Sequence, residues 1–198
     1  GRPTIVVTGD RDALQLVGRY VRVMMNTRGI TEVKIYDPAA VEERFGVPPA
    51  LIPDFIGLKG DSSDNIPGVP GIGEKTAAEL LKQFGSLEAV LEHVDEVPGQ
   101  KRRELLQAYR EDALLSKKLA RLEAEVPIDF GVAEATTHRM DRQRLEELLV
   151  SLEFTSVLER LRPLWTEVAA GAALPQPVAA AAEEDWEKLL DWGRPVGV

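Results

Sequence analysis

The sequence predicts an α/β protein in which a short strand-bearing stretch is followed by a mostly helical extension. Three observations predict it. The opening stretch holds short runs rich in β-branched residues, "TIVV", "YVRVMMN" and "TEVKIYD", and few polar interruptions. Past residue 74 the apolar positions recur at three- and four-residue spacing. Between the two regimes stands "GDSSDNIPGVPGIGEK", a stretch too rich in glycine, proline and aspartate for either.

Taken in order, "PTIVVTGD" reads as a short buried strand stopped by Gly9, with Asp10 at its exit. "RDALQLV" gives a short helix. Two strands follow, joined by a turn containing Gly29. Helices are expected at 38–45 and near 49–58, the second disturbed by Pro53. A further helix at 74–84 has its apolar face at Ala77, Leu80, Leu81 and Phe84, with Gly85 as C-terminal cap. Ser86 caps the next, to about 94. Helical periods continue at 100–109, 111–122, 141–149 and 154–164. The alanine- and proline-rich stretch 169–182 reads as a connector, and 183–198 as one helix and the beginning of a strand.

A chain of 198 residues with 44% hydrophobic content can bury a core, enough for one domain plus a tail or two small domains. No apolar run approaches the roughly 18 residues of a membrane span, and the first residues lack the order of a signal peptide, so a cytoplasmic protein without membrane contact is expected. With no cysteine and only His93 and His138, any metal must be held by oxygen. The formal charge of −9 excludes a uniformly basic surface, yet 100–121 forms a basic island with Lys101, Arg102, Arg103, Arg110, Lys117, Lys118 and Arg121. That island either flanks a nucleic-acid duplex or is a solvated helix face.

Two acidic motifs suggest chemistry. In "TGDRD", Asp10 and Asp12 point the same way if the chain stays extended; aspartate at a strand exit equally caps a helix. In "GDSSDN", Asp61 and Asp64 are spaced to share a face of a helical turn, or to form a capping loop. The sequence places no evident cationic partner with these four carboxylates. Each like-charged pair at about 4 Å costs on the order of 4 kcal/mol at an effective dielectric near 20. A divalent cation removes that cost, and oxygen-only ligands select Mg2+ or Mn2+. All four aspartates are therefore candidate catalytic and metal-binding residues.

In "GVPGIGEKTAAELL", Gly71 and Gly73 flank Ile72, which anchors a sharp turn in the core. The helix beginning there offers free amides to phosphate, with Lys75 adding charge and Thr76 beside it. This is a helix-hairpin-helix pattern, about 66–84, suited to sequence-independent contact with a nucleic-acid backbone; a plain helix–helix turn explains the glycines but not the lysine. His93 and His138 read as surface or capping residues, and Trp165, Trp186 and Trp192 as packing residues.

"TGDRDALQLV", "YDPAAVEERFGV", "IPDFIGLKGDSSDNIPGVPGIGEKTAAELLKQFGSLEAVL" and "LEFTSVLERL" together resemble the C-terminal half of the 5′-nuclease domain of the bacterial DNA polymerase I family, a PIN-like relative of the flap endonucleases. The resemblance covers residues 1 to about 165 and implies a partial parallel-sheet nuclease core with a mostly helical extension, the nuclease part running over 1–168. It implies a structure-specific 5′-3′ exonuclease that removes RNA primers and 5′ flaps in replication and repair. It also implies metal binding by Asp10, Asp12, Asp61 and Asp64, and a K+ ion in the hairpin. Branched, flapped or nicked DNA and RNA primer–DNA hybrids are the implied partners of a monomer, with Lys101, Arg102 and Arg103 beside the duplex. Residues 183–198 resemble the truncated start of a 3′-5′ exonuclease-like domain. The family's preceding half, with its remaining carboxylates, does not precede Gly1, so a chain that binds branched DNA weakly and cleaves it poorly is expected. A non-catalytic helix-hairpin-helix module is the alternative, and a structural spacer without DNA affinity a third reading.

Overall fold

A computed structural model describes residues 3–28, 32–131 and 141–169. They fall in two compact units that meet in sequence at Ala124 and Glu125.

The first unit opens with β1 (Thr4–Val7), β2 (Val21–Arg28) and β3 (Glu32–Tyr36), in sheet order β1-β2-β3. β1 and β2 are parallel, with Val6 opposite Val23, and β2 and β3 are antiparallel. The parallel arrangement is thus confined to one pair; the turn around Gly29 lies outside the described residues. β1 is not the buried strand expected from its run of apolar residues, because it stands at a sheet edge and leaves Val7 72% exposed.

"RDALQLV" forms a 3-10 helix, Arg11–Leu16, that returns the chain from β1 to β2. After β3, Asp37 caps α1 (Pro38–Phe45) by accepting from the Ala40 N–H, with Pro38 at the first helical position, where no amide is needed. A 3-10 turn, Pro49–Leu51, absorbs the prolines before α2 (Ile52–Lys59). Every residue of α2 from Ile52 to Leu58 is buried, so this short helix is the axis of the unit.

Around it pack α3 (Glu74–Phe84), α4 (Leu87–Glu92) and α6 (Arg110–Ala120), and α5 (Gln100–Ala108) adds Leu106 to the same core, with Phe55, Leu58, Leu81, Val90 and Ala113. Gly57 permits a close approach of α2 to α4 and α6. A Cβ there would stand 2.9 Å from Leu87 Cδ2, 3.0 Å from Lys117 Cβ and 3.1 Å from the Ala113 carbonyl oxygen.

In the second unit, α7 (Arg142–Ser151) is capped by Asp141 and packs with α8 (Thr155–Ala169), where Leu149 and Leu158 are buried. An Arg162–Glu146 ion pair spans 2.8 Å. The linker beyond Ala169, the segment 183–198 and His138 lie outside the described residues.

Candidate metal centre and nucleic-acid interface

Asp10 leaves β1 in extended conformation and caps the 3-10 helix: its Oδ1 accepts from the Asp12 N–H at 2.9 Å. The expected extended run through Asp12 is therefore replaced by a helical turn. Capping and convergence are not rivals here, since one Asp10 oxygen does the capping while a carboxylate oxygen from each of Asp10, Asp12 and Asp64 comes within 4.8 Å of the others. These three form the one such group of possible metal ligands among the described residues.

Asp12 Oδ1 is buried and has no hydrogen-bond partner among the described residues. A buried carboxylate oxygen without a donor is costly. Burial, then the charges of Asp10, Asp64 and Asp61, push the Asp12 carboxyl up from 3.8 to about 6. The other side of the site behaves oppositely.

Asp61 is 5% exposed and stands outside the three-oxygen group. Its backbone pairs with Ile66 in an antiparallel bridge, N–H to carbonyl at 2.9 and 2.8 Å, which closes the loop presenting Asp64. Asp61 and Asp64 thus do not share a helical face. Burial alone would raise the Asp61 carboxyl, but hydrogen bonds from the Ser63 hydroxyl and N–H, with Lys59 and Arg11 nearby, hold it below its usual 3.8. Cations are therefore present, contrary to the expectation that none stands near; they act on Asp61, whereas Asp12 feels its carboxylate neighbours.

Two residues unremarked in the sequence hold these segments. Gln15 donates from Nε2 to the carbonyls of Asp12, at 2.8 Å, and Ala120, at 2.9 Å, while its Oε1 accepts from the Leu122 N–H at 3.0 Å. Ser116, fully buried, accepts from the Gly68 N–H at 3.0 Å and donates to the Asp112 carbonyl at 2.6 Å. Gly68 must be glycine: its φ is +60°, and a Cβ would fall 2.2 Å from Gly60 N. No local signal marks Gln15 or Ser116, because their partners are about 105 and 48 residues away.

The hairpin follows directly. Val69 N–H donates to the Leu58 carbonyl, and Ile72 N–H to Val69 across a turn with Pro70 second and Gly71, at φ +81°, third, the type II pattern. Ile72 is buried as expected. Gly73 is the N-cap of α3 without a side-chain cap, so the first amides of α3 have no capping side chain, and Lys75 is exposed beside them with Thr76 half-buried. Glu74 competes for this end of the helix. Burial raises its carboxyl, but Arg44 at 3.2 Å and Lys59 at 3.6 Å outweigh that and hold it low. A groove of about 400 Å³ beside it is lined by Arg44, Phe45, Lys75, Glu79 and Lys82.

The basic island is divided. Lys101 is exposed, but Arg102 donates to the Pro98 carbonyl and Arg103 to the Val97 carbonyl, which anchors the start of α5. Lys117 turns inward to Asp54 and Glu88, both at 2.7 Å. Burial lowers its ammonium, but these two carboxylates more than compensate and raise it. His93 pairs with Glu96 on the surface and stacks on Phe84.

Residues 47–143 match the model of the family described as 5′-3′ exonuclease, C-terminal SAM fold. The chain is 47% identical over 156 residues to DNA polymerase I of Bacillus caldotenax and 45% identical over 156 residues to that of Bacillus subtilis, covering 79% of this chain and 18% of each relative. With DNA polymerase I of Mycobacterium leprae the identity is 40% over 179 residues, 89% of this chain and 19% of that one. The chain therefore spans under a fifth of these relatives' length. Among solved structures it resembles a T5 5′-exonuclease with bound divalent metal ions (zinc), at 23% identity and TM-score 0.53 over 60% of this chain and 42% of that one. A bacteriophage T5 flap endonuclease described as a pseudo-enzyme-product complex with DNA and metal ions matches at 22% identity with the same TM-score and coverage. At such identities the likeness shows the α/β fold. Residues 47–143 are thus similar to the 5′-3′ exonuclease, C-terminal SAM fold family, in a chain similar to one stretch of bacterial DNA polymerase I.

Proposed function

We propose that this chain is the part of a DNA polymerase I that supplies one metal-binding carboxylate group and the duplex-gripping hairpin of a structure-specific 5′-3′ exonuclease and flap endonuclease. The observation that carries the reading is the convergence of Asp10, Asp12 and Asp64, together with a buried Asp12 oxygen that has no donor among the described residues. All-oxygen, carboxylate-rich donors suit a hard divalent cation, Mg2+ or Mn2+. Asp10, Asp12 and Asp64 would hold it, and Asp61, kept ionised by Ser63, would add charge from behind. When bound, such an ion supplies Lewis-acid catalysis of phosphodiester hydrolysis.

The chain's own residues bind and orient the strand. The amides at the start of α3 and the Lys75 ammonium take backbone phosphates without reading sequence, and the carbonyls of the hairpin turn suit a K+ ion. Lys101 extends the contact along the duplex, with Arg102 and Arg103 holding the start of α5 in place. Substrates are nicked, branched or 5′-flapped DNA and RNA primer–DNA hybrids, met by a monomer in the cytoplasm. Within that polymerase, 1–168 is the nuclease part, 169–182 a connector and 183–198 the start of a 3′-5′ exonuclease-like domain. A two-metal reaction needs ligands for both ions. The described residues offer one group, so the isolated chain binds flapped DNA and cleaves it poorly.

Calorimetric titration with Mn2+ tests the assignment. Uptake by the wild-type chain, abolished in the triple variant Asp10→Asn, Asp12→Asn, Asp64→Asn, supports it. Equal heats from both proteins would leave only a hairpin module that binds DNA without metal chemistry.

A further inference from the structure

The two segments that bring Asp10, Asp12 and Asp64 together are far apart in sequence, and both are fastened to α6. Gln15 ties the Asp12 carbonyl to the last carbonyl of α6, at Ala120, and to the Leu122 N–H just beyond; both its donors and its acceptor are used. Ser116 ties down Gly68, whose backbone lies against Gly60, the residue before Asp61. The Asp61–Ile66 bridge then carries that restraint to the loop of Asp64. Ser116 and Ala120 are four residues apart in α6, so they lie on one face, separated by about 6 Å along the axis.

We propose that this single turn of α6 sets the spacing of the three carboxylates, with Gln15 and Ser116 as positioning residues. Its consequence for metal affinity rests on the function proposed above; its geometry does not. Like charges drive the two segments apart, and neither segment has a regular strand or long helix of its own at the point where its aspartate projects. Directional hydrogen bonds to a rigid helix oppose that drift. Partners that orient metal ligands typically govern affinity by about 10- to 100-fold.

The test uses the whole chain with Gln15→Leu, which keeps the bulk and removes all three bonds, and Ser116→Ala, which removes the acceptor for Gly68. Val90→Ala, in the core of α4 and touching neither fastening, is the control for lost stability. Mn2+ affinity is measured well below each protein's melting midpoint, and the metal-free Q15L protein is crystallised. The expected result is a loss of about tenfold or more in Mn2+ affinity for Q15L and for S116A, none for V90A, and carboxylate oxygens of Asp10, Asp12 and Asp64 no longer within 4.8 Å in Q15L. An unchanged oxygen cluster in Q15L, or an equal affinity loss in V90A, overturns the proposal. If the wild-type chain takes up no Mn2+ yet the oxygens separate in Q15L, the metal assignment fails and the positioning role stands.

Discussion

Replacing Asp12 by asparagine removes one charge from the carboxylate group while keeping its shape, and the outcome depends on pH in a way that can be worked out. The folded Asp12 carboxyl is pushed up to about 6 from 3.8, by burial first and by Asp10, Asp64 and Asp61 next. Well below pH 3.8 the folded and unfolded chains both hold this proton, and Asp12 contributes no instability. As pH rises from there to about 6, the unfolded chain releases the proton first, so folding loses stability; above that the loss is constant. At full effect the interval corresponds to roughly 3 kcal/mol, and solvent reaching the partly exposed side chain reduces it to about 1–2 kcal/mol. In chelator, urea denaturation of D12N should therefore show a gain of about 1–2 kcal/mol over wild type near pH 8 and almost none near pH 4. Millimolar Mg2+ should reverse the order, because it stabilises the protein that binds it. A D12N protein no more stable than wild type near pH 8, or more stable by the same amount at both pH values, would refute the claim that crowded negative charge governs this site.

Other substitutions probe separate parts of the molecule. Lys117→Met leaves the 4%-exposed Asp54 without its cation, and with Lys117 itself partly exposed the cost should be about 2–4 kcal/mol by urea denaturation. Gly68→Ala forces a Cβ against the Gly60 backbone at a positive φ, and should lower stability by more than about 4 kcal/mol, read as a collapse of the melting midpoint. Lys75→Ala should leave stability unchanged, weaken binding to duplex and flapped DNA alike, and reduce the slope of log affinity against log salt by about 1, measured by anisotropy titration.

Local chemistry was readable where it acts on neighbours. α1 is the clearest case: it forms over 38–45 as expected, with Asp37 and Gly46 capping its ends. α3 likewise runs from Glu74 to the left-handed Gly85, with Ala77, Leu80 and Leu81 inward. Where partners are remote, the sequence was ambiguous. β1 reads as buried because its residues are apolar, but burial of Val7 depends on what lies next to the strand. The paired aspartates were visible as motifs, while the split between a buried, hydrogen-bonded Asp61 and a clustered Asp12 depends on Ser63, Lys59, Arg11 and the fold of the loop. The charges of 100–121 looked alike on paper; Arg103 serves a backbone carbonyl, Lys117 a buried carboxylate, and Lys101 faces solvent.

Val7, at the end of β1, stands 72% exposed. Among the described residues β1 pairs with β2 alone, and its last residue, Val7, projects a bare isopropyl group into solvent. An apolar side chain this exposed on the first strand of the sheet invites another extended chain to add on, so the isolated polypeptide should self-associate as it is concentrated. A lysine in place of Val7 would discourage that stacking without touching the aspartates, and would make the protein easier to keep in solution for every measurement described above.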